Sequence, residues 1–520
     1  MTTTPISLFE VLKESKISCH SDLGGGDYYP QSAVDKYAQE PHITKEGVPE
    51  ELVEIIVTSA RKIFIILHHA DRIDLARSIL GCGIRDADLP LRLEKDCLIS
   101  GSGKCFRPFG SPWKANRRNV QAFLDSQWVV QPHILDDSGK HHQLELTCAL
   151  PFLGTPESLG TAARAVFECI IHKDCFRNVD NSPQPLQDSG GDAAGSGSDA
   201  DTEEQNSGRR VAVKRFTNPE DFKREIDALR AAREANHPNL IRFLSSYEKS
   251  NTYYIILPWA EGSTLQHYWN KNAVRDQALI RKSIDQLLQL SDALQFLHFI
   301  NFRHGDLKPD NILHFTDPSR HLDNFVIADL GISSRHMHPT GHFGRQATKM
   351  KATTLAYEAP EVWTESDSPR SRKYDVWSMG CIILEHIIWL LWDIDALATF
   401  EDSRHYPAFA FYLADGGRNK PKTAIVHPEV ASAIEAVRDD PRGAAGTALR
   451  DLIDLIERGL LVVDVKQRWD AKQLHTALGE IARKASPGAM GDAYLLPLNA
   501  TAPPRPLIFG SAGAHKTAQP

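Results

Sequence analysis

Apolar residues recur at helical spacing early in the chain, where Leu52, Ile56, Ala60, Phe64 and Leu67 fall on one stripe. Such a stripe is the core face of an amphipathic helix. A second helical run, Ile73–Leu80, ends where Gly81 and Gly83 interrupt it. The pattern changes beyond residue 150. Ala165–His172 and Val211–Phe216 read as strands, Asp221–Arg233 as a charged amphipathic helix, and Tyr253–Leu257 as a further strand. After residue 275 helical spacing returns. Ile284, Leu287, Leu288, Leu290, Leu294 and Leu297 trace one buried face, and Leu452, Ile453, Leu455, Ile456 and Leu460 another. A strand-rich half followed by a helix-rich half predicts an α+β fold of two lobes, preceded by a mainly helical N-terminal region over residues 1–145.

Composition changes this picture in two places. Residues 181–208 (NSPQPLQDSGGDAAGSGSDADTEEQNSG) carry only acidic charge and a single large apolar residue, Leu186, too little to offset the entropy of ordering them. They are expected to form a flexible acidic loop. Residues 486–520, rich in Ala, Pro and Gly, are expected to be a disordered tail. Over 520 residues, 59 basic and 67 acidic side chains leave a net charge of -8, which gives no footprint for sequence-independent nucleic-acid binding. The eight cysteines form no C-x-x-C pair and are too dilute for a disulfide scaffold. Met1–Glu10 lacks the features of a secretory signal, and Leu52–Leu67 and Cys381–Phe400 are each broken by charges, so no membrane span is expected. The expectation is an intracellular, cytoplasmic protein. The adjacent pairs His68/His69 and His141/His142 lack partners at metal-ligand spacing and read as solvated or capping histidines rather than a metal site.

The segment His304–Leu313 (HGDLKPDNIL) places Asp306, Lys308 and Asn311 on one loop after a long apolar helix. Phosphoryl transfer needs a carboxylate to orient the attacking hydroxyl, a cation near the transferred phosphate and an oxygen ligand for magnesium. All three are supplied here. The alternative, an unrelated polar turn, requires Asp306, Lys308, Pro309, Asp310 and Asn311 to coincide by chance.

With this loop the sequence resembles the eukaryotic protein kinase superfamily, of serine/threonine type, and a group of fungal kinases with N-terminal extensions. Further motifs follow in order. Val211-Ala212-Val213-Lys214 looks like the strand whose lysine holds the α and β phosphates, and Glu225 matches its ion-pair partner. Asp329-Leu330-Gly331 resembles the magnesium-binding DFG motif with leucine for phenylalanine, and Ala359-Pro360-Glu361 the APE motif. Asp375-Val376-Trp377-Ser378-Met379-Gly380 resembles the helix whose aspartate braces the catalytic loop, and Arg468 the arginine that pairs with Glu361. Leu257–Gly262 falls at the family hinge, where Pro258 keeps a carbonyl and Ala260 an N–H for adenine; a simple strand end is the alternative. The resemblance covers residues 150–484 and implies a bilobal protein-kinase fold with the acidic stretch as an insertion. It implies ATP and Mg2+ as cofactors, Asn311 and Asp329 as metal ligands, and protein substrates. Lys308, with Thr354 in TTLAYEAPE, resembles the serine/threonine rather than the tyrosine pattern.

Two departures stand out. The glycine-rich loop aligns with Leu159–Phe167, where only Gly160 of three glycines survives and Val166 aligns with a one-residue shift. Glycine matters there because backbone N–H groups must approach phosphate closely. Gly305 stands where many kinases carry the arginine that clamps an activation-segment phosphate. Activity is therefore expected not to depend on phosphorylating Ser333, Ser334, Thr340, Thr348 or Thr353. Two other readings compete with an active kinase: a pseudokinase serving as an interaction module, and a function centred on the N-terminal region as an autoinhibitory module with a regulatory partner.

Overall fold

The computed structural model describes residues 12, 14–95, 97–108, 113–159, 165–179, 208–271, 276–317, 322–330, 334–335, 355–365, 370–405, 409–417 and 420–495. Gly160, most of the acidic stretch 181–208, the tail beyond 495 and, apart from the backbone of Ser334, the five candidate phosphorylation positions lie outside the described residues. The chain forms two compact units, one of residues 1–222 and 243–259, the other of residues 223–242 and 260–520. The first is built on a sheet and the second mainly on helices, as the α+β reading expects.

The helical stripe near the N-terminus is carried by two helices, α1 (Glu50–Ser59) and α2 (Arg61–His69), rather than one. All five stripe residues are buried, so the spacing identified the core face correctly. The break falls at Ala60, whose φ of -142° leaves the helical region. A fresh helix start exposes N–H groups that need acceptors, and the Asp86 carboxylate accepts from Lys62 N (3.0 Å) and Ile63 N (3.1 Å). Local spacing could not reveal a cap supplied from that far along the chain.

The sheet of the first unit contains β1 (His141–Gln143), β2 (Phe152–Ser158), β3 (Val166–His172), β4 (Gly208–Phe216), β5 (Ser245–Lys249) and β6 (Thr252–Pro258) in the spatial order β1-β5-β6-β4-β3-β2. Its ladders are antiparallel except β1 on β5, which is parallel. Strand alternation sends Val211 and Val213 into the core with Phe167, Cys169, Ile171 and Tyr247. Cys19, Leu23, Tyr28 and Leu135, from the N-terminal region, complete that same core. Polar contacts tie the region down as well. The Tyr247 hydroxyl donates to the Leu23 carbonyl (2.9 Å), Arg215 pairs with Asp22 (2.6 Å), and the buried Lys249 ammonium donates to the Cys148 carbonyl (2.6 Å). Gly26, at φ +107°, passes so close to Ala149 that a Cβ would stand 2.9 Å from its Cα. A second apolar cluster lies wholly within residues 12–130 and holds α1 and α2.

Cys97 and Cys105 are joined by a disulfide, although the cysteines read as too dilute for a disulfide scaffold. Pairing of Ile99 with Cys105 sets Cys97 diagonally opposite on the same face of a short hairpin. Proximity in the sheet, not spacing in sequence, decides the pairing.

In the second unit, α3 (Pro219–Ala235) is followed by α4 (Gln277–Phe299) and α5 (Lys373–Leu391). Between α4 and α5 a hairpin, β7 (Ile312–Asp317) and β8 (Leu322–Ile327), positions the segments on either side of it. α5 is long and apolar enough to cross a bilayer, yet its apolar window is entirely buried inside the protein. Order also extends past residue 486: Ala489–Leu495 is helical, held by the Arg281–Asp492 ion pair and by the Tyr494 hydroxyl on Asp451 (2.7 Å).

Asp86→Ala is expected to cost about 1 kcal/mol, the usual value of a lost helix cap, read as a lower urea midpoint at unchanged slope. A chain beginning at residue 141 is expected to lose cooperative unfolding of the sheet unit, because part of its core is gone. Calorimetry showing an unchanged transition would reject that.

Candidate active site

The loop Arg303–Asn311 is shaped by one carboxylate. Asp375, fully buried near the start of α5, accepts from His298 Nε2 (2.8 Å), His304 N (2.8 Å) and Gly305 N (2.8 Å). Burial pushes its pKa upward, but the His298 hydrogen bond and the fields of His298 and His304 hold it below the ordinary carboxylate value. Gly305 turns the loop at φ +82°, a left-handed conformation that glycine adopts without steric cost. His304, also fully buried, takes the Asp306 N–H on Nδ1 (3.2 Å), so Nε2 is the donor to the Ala328 carbonyl (2.9 Å). This bond links the loop to the segment carrying Asp329.

The side chains that follow converge. Lys308 Nζ lies 3.3 Å from Asp306 Oδ2. Asn311 Nδ2 donates to the Asp306 carbonyl (2.7 Å) and to its Oδ2 (3.3 Å). Ala328 N donates to the Asn311 carbonyl (2.9 Å), which draws the end of β8 onto the loop. Asp329 follows directly with φ +57°. Asp306, Lys308, Asn311 and Asp329 are thus assembled in one unit on a single hydrogen-bonded frame. Asn311 commits its amide N–H groups to Asp306 and keeps its Oδ1 available as a hard oxygen donor.

In the other unit, Val166, Ala212, Lys214 and Pro258 share the sheet. Lys214 is opposite Val166, Ala212 is opposite Leu257, and Val211 is opposite Pro258. Alternation places Val166, Ala212 and Lys214 on the face away from the Val211–Val213 core. Lys214 is buried, 7% exposed. Glu225 is buried on α3 and Ala260 is half-buried, both counted with the helical unit. Leu159 N donates to the Val166 carbonyl (2.7 Å), continuing the pairing of β2 with β3.

The Protein kinase domain family matches residues 194–477, more than half of the chain. The chain belongs to the protein kinase family. It is 29% identical over 157 residues to the calcium/calmodulin-dependent protein kinase cmkA of Emericella nidulans, covering 30% of this chain and 35% of that protein. It is 30% identical over 166 residues to the serine/threonine-protein kinase cds1 of Schizosaccharomyces pombe, covering 31% and 33%. With the calcium-dependent protein kinase 6 of Plasmodium berghei it shares 32% over 148 residues, covering 28% and 9%. The matched stretches span between 9% and 35% of these relatives' own length.

Sequence reasoning missed two supports of this site. His298, the side-chain donor to Asp375, stood in the sequence only as one more residue of an apolar helix. The second lies beside Ala359-Pro360-Glu361, where the Tyr357 hydroxyl donates to Glu385 Oε2 (2.8 Å) on α5. Arg404 reaches Glu385 Oε1 at 3.3 Å while stacked on the Phe400 and Phe411 rings. No local signal marks Arg404, which follows a short helix in an unremarkable polar run.

Burial pushes the Glu385 carboxyl up to about 7, against the opposing pull of Arg404. The folded state therefore holds this proton more tightly than the unfolded chain, whose carboxyl titrates near 4.5. Across that window protonation favours the fold, and the stabilisation is lost as pH rises toward 7. The melting temperature of the wild type relative to Glu385→Gln is expected to fall between pH 4.5 and pH 7. A difference that stays constant with pH would contradict it.

Proposed function

We propose that the protein is a serine/threonine protein kinase that transfers the γ-phosphate of ATP to hydroxyl groups of protein substrates. The observation that carries this reading is the frame on which Asp306, Lys308, Asn311 and Asp329 are held together. Asp306 orients the substrate hydroxyl and takes its proton as the new P–O bond forms. Lys308, against the Asp306 carboxylate, offsets charge on the transferred group. Lys214 and Glu225 carry over from the family as the residues that align ATP. Pro258 and Ala260 do so for adenine, and Val166 and Ala212 for the surface around it.

The donor set fits a magnesium ion. Asn311 Oδ1 and the Asp329 carboxylate are hard oxygen donors, the type that magnesium prefers, and Asn311 is oriented by its two bonds to Asp306. When bound, magnesium neutralises the negative charge on the phosphate oxygens. The serine/threonine preference rests on Lys308 and Thr354 and on relatives that match only in part.

Magnesium-dependent transfer of labelled γ-phosphate to a generic protein substrate is expected, with Asp306→Asn slower by about a hundredfold or more. Transfer unaffected by the substitution would remove Asp306 from its role. Nucleotide binding without transfer by the wild type would favour the pseudokinase reading instead.

A further inference from the structure

The one disulfide among the described residues lies where a thiol can reach it. Cys97 and Cys105 belong to a three-stranded antiparallel sheet of Arg92–Glu94, Cys97–Ile99 and Cys105–Phe106. Its inner face is apolar: Leu98, wholly buried, and Phe106, 9% exposed, join the cluster within residues 12–130. Alternation turns Cys97 and Cys105 to the opposite face. Cys105 is exposed there and Cys97 half-buried, so the two sulfurs are not equivalent toward an incoming thiolate. The remaining cysteines are thiols: Cys19, Cys148, Cys169, Cys175 and Cys381 are buried, and Cys82 is exposed.

The register also brings a charge to one of the two sulfurs. Leu98 pairs with Phe106 and Ile99 with Cys105, which sets Arg107 opposite Cys97. Arg107 Nε donates to Cys97 Sγ at 3.4 Å. A disulfide sulfur is a weak acceptor and a thiolate a charged one, so this contact strengthens when the S–S bond opens toward Cys97. Other charges at the sheet are engaged with each other. Glu94, opposite Cys97 on the first strand, pairs with Arg92 (2.8 Å), and Lys104 pairs with the buried Asp88 (3.2 Å). The exposed Lys95, at the turn before Cys97, adds a further positive charge.

We propose that Cys97–Cys105 is a site of thiol–disulfide exchange with a dithiol reductant, in which Cys105 is the sulfur attacked and Cys97 the sulfur released. One thiolate of the reductant forms an S–S bond to Cys105 Sγ as the Cys97–Cys105 bond breaks. The electron pair of that bond leaves on Cys97 Sγ, held as a thiolate by Arg107. The second thiolate of the reductant then attacks the reductant's own sulfur in the mixed disulfide and releases Cys105. Both protons of the dithiol end on the two cysteines; the protein pair gains two electrons and the dithiol becomes a disulfide. A link between positions 8 residues apart then no longer closes the hairpin. Lys104, next to Cys105, ties the hairpin to Asp88, and Asp86, two residues earlier, caps α2. Reduction thereby loosens the segment that fixes the start of α2, so the N-terminal cluster senses the thiol state of its surroundings. None of this rests on phosphoryl transfer.

The test uses the full chain under native conditions, equilibrated at fixed ratios of reduced to oxidised dithiothreitol, alkylated with iodoacetamide and mapped by peptide mass. Cys97 and Cys105 are expected to become labelled together as the ratio turns reducing, and to be protected again in samples reoxidised before alkylation. Cys82 is labelled throughout and the five buried thiols stay unlabelled. Glutathione, a single thiol, is expected to be trapped on Cys105 rather than Cys97. Arg107→Gln is expected to slow native reduction by about tenfold at an unchanged melting temperature of the oxidised chain, and Arg107→Lys to restore part of the rate. Hydrogen exchange at the Lys62 and Ile63 amides is expected to be faster in the reduced chain. Labelling of Cys97 and Cys105 that ignores the ratio, reduction only after unfolding, or glutathione on Cys97 would overturn the site. An unchanged rate in Arg107→Gln would remove Arg107 from the step, and unchanged amide exchange would remove the link to α2.

Discussion

The placement of one buried carboxylate governs the geometry of the candidate site. Asp375 sits in the interior, where an isolated charge would be prohibitively costly. It is tolerated because three donors converge on it, two of them backbone N–H groups of the catalytic loop. Each of those contacts is also a positional constraint. With the N–H groups of His304 and Gly305 aimed at the same carboxylate, the chain must turn between them, and the left-handed φ of Gly305 makes that turn without strain. Asp306 emerges in a direction fixed by α5. His304 then passes the constraint to Ala328, and Asn311 passes it back to Asp306. A site assembled from two loops thus inherits the rigidity of a core helix.

α5 serves the neighbouring segment in the same way. Through Ser378 Oγ, which donates to the Tyr357 carbonyl (2.9 Å), and through Glu385, it anchors the turn before Ala359-Pro360-Glu361. Arg468 completes this with its paired bonds to Glu361. Asp375, Ser378, Glu385 and Glu361 are each matched with donors or acceptors, which is how such a network holds one geometry.

In the sheet unit the division of labour differs from what chain order implies. An N-terminal extension read from sequence alone is a candidate for a separate module, because its helical stripe contrasts with the strands that follow. Part of it does form its own apolar cluster. Cys19, Leu23, Tyr28 and Leu135, however, belong to the core of the sheet that carries Lys214, and β1 adds an edge strand. These residues lie in stretches too short to show a period, so their burial was not legible.

What the sequence determined by itself is chemistry and order. Asp306, Lys308, Asn311 and Asp329 were legible because phosphoryl transfer demands particular functional groups at short spacing, and the strands and helices because burial imposes a period on apolar residues. The extent of the acidic stretch and the position of Gly160 were legible as composition only. Tertiary structure decided everything that depends on residues far apart in the chain meeting in space. Asp86 caps α2 across an intervening helix, Cys97 meets Cys105 across a hairpin, Glu385 gathers Tyr357 and Arg404, and Arg303 faces Arg370 over Tyr374. Periodicity and motifs record what each residue needs from its immediate neighbours. Burial and field strength depend on the sum over the whole fold, and no local pattern in the sequence carries that sum.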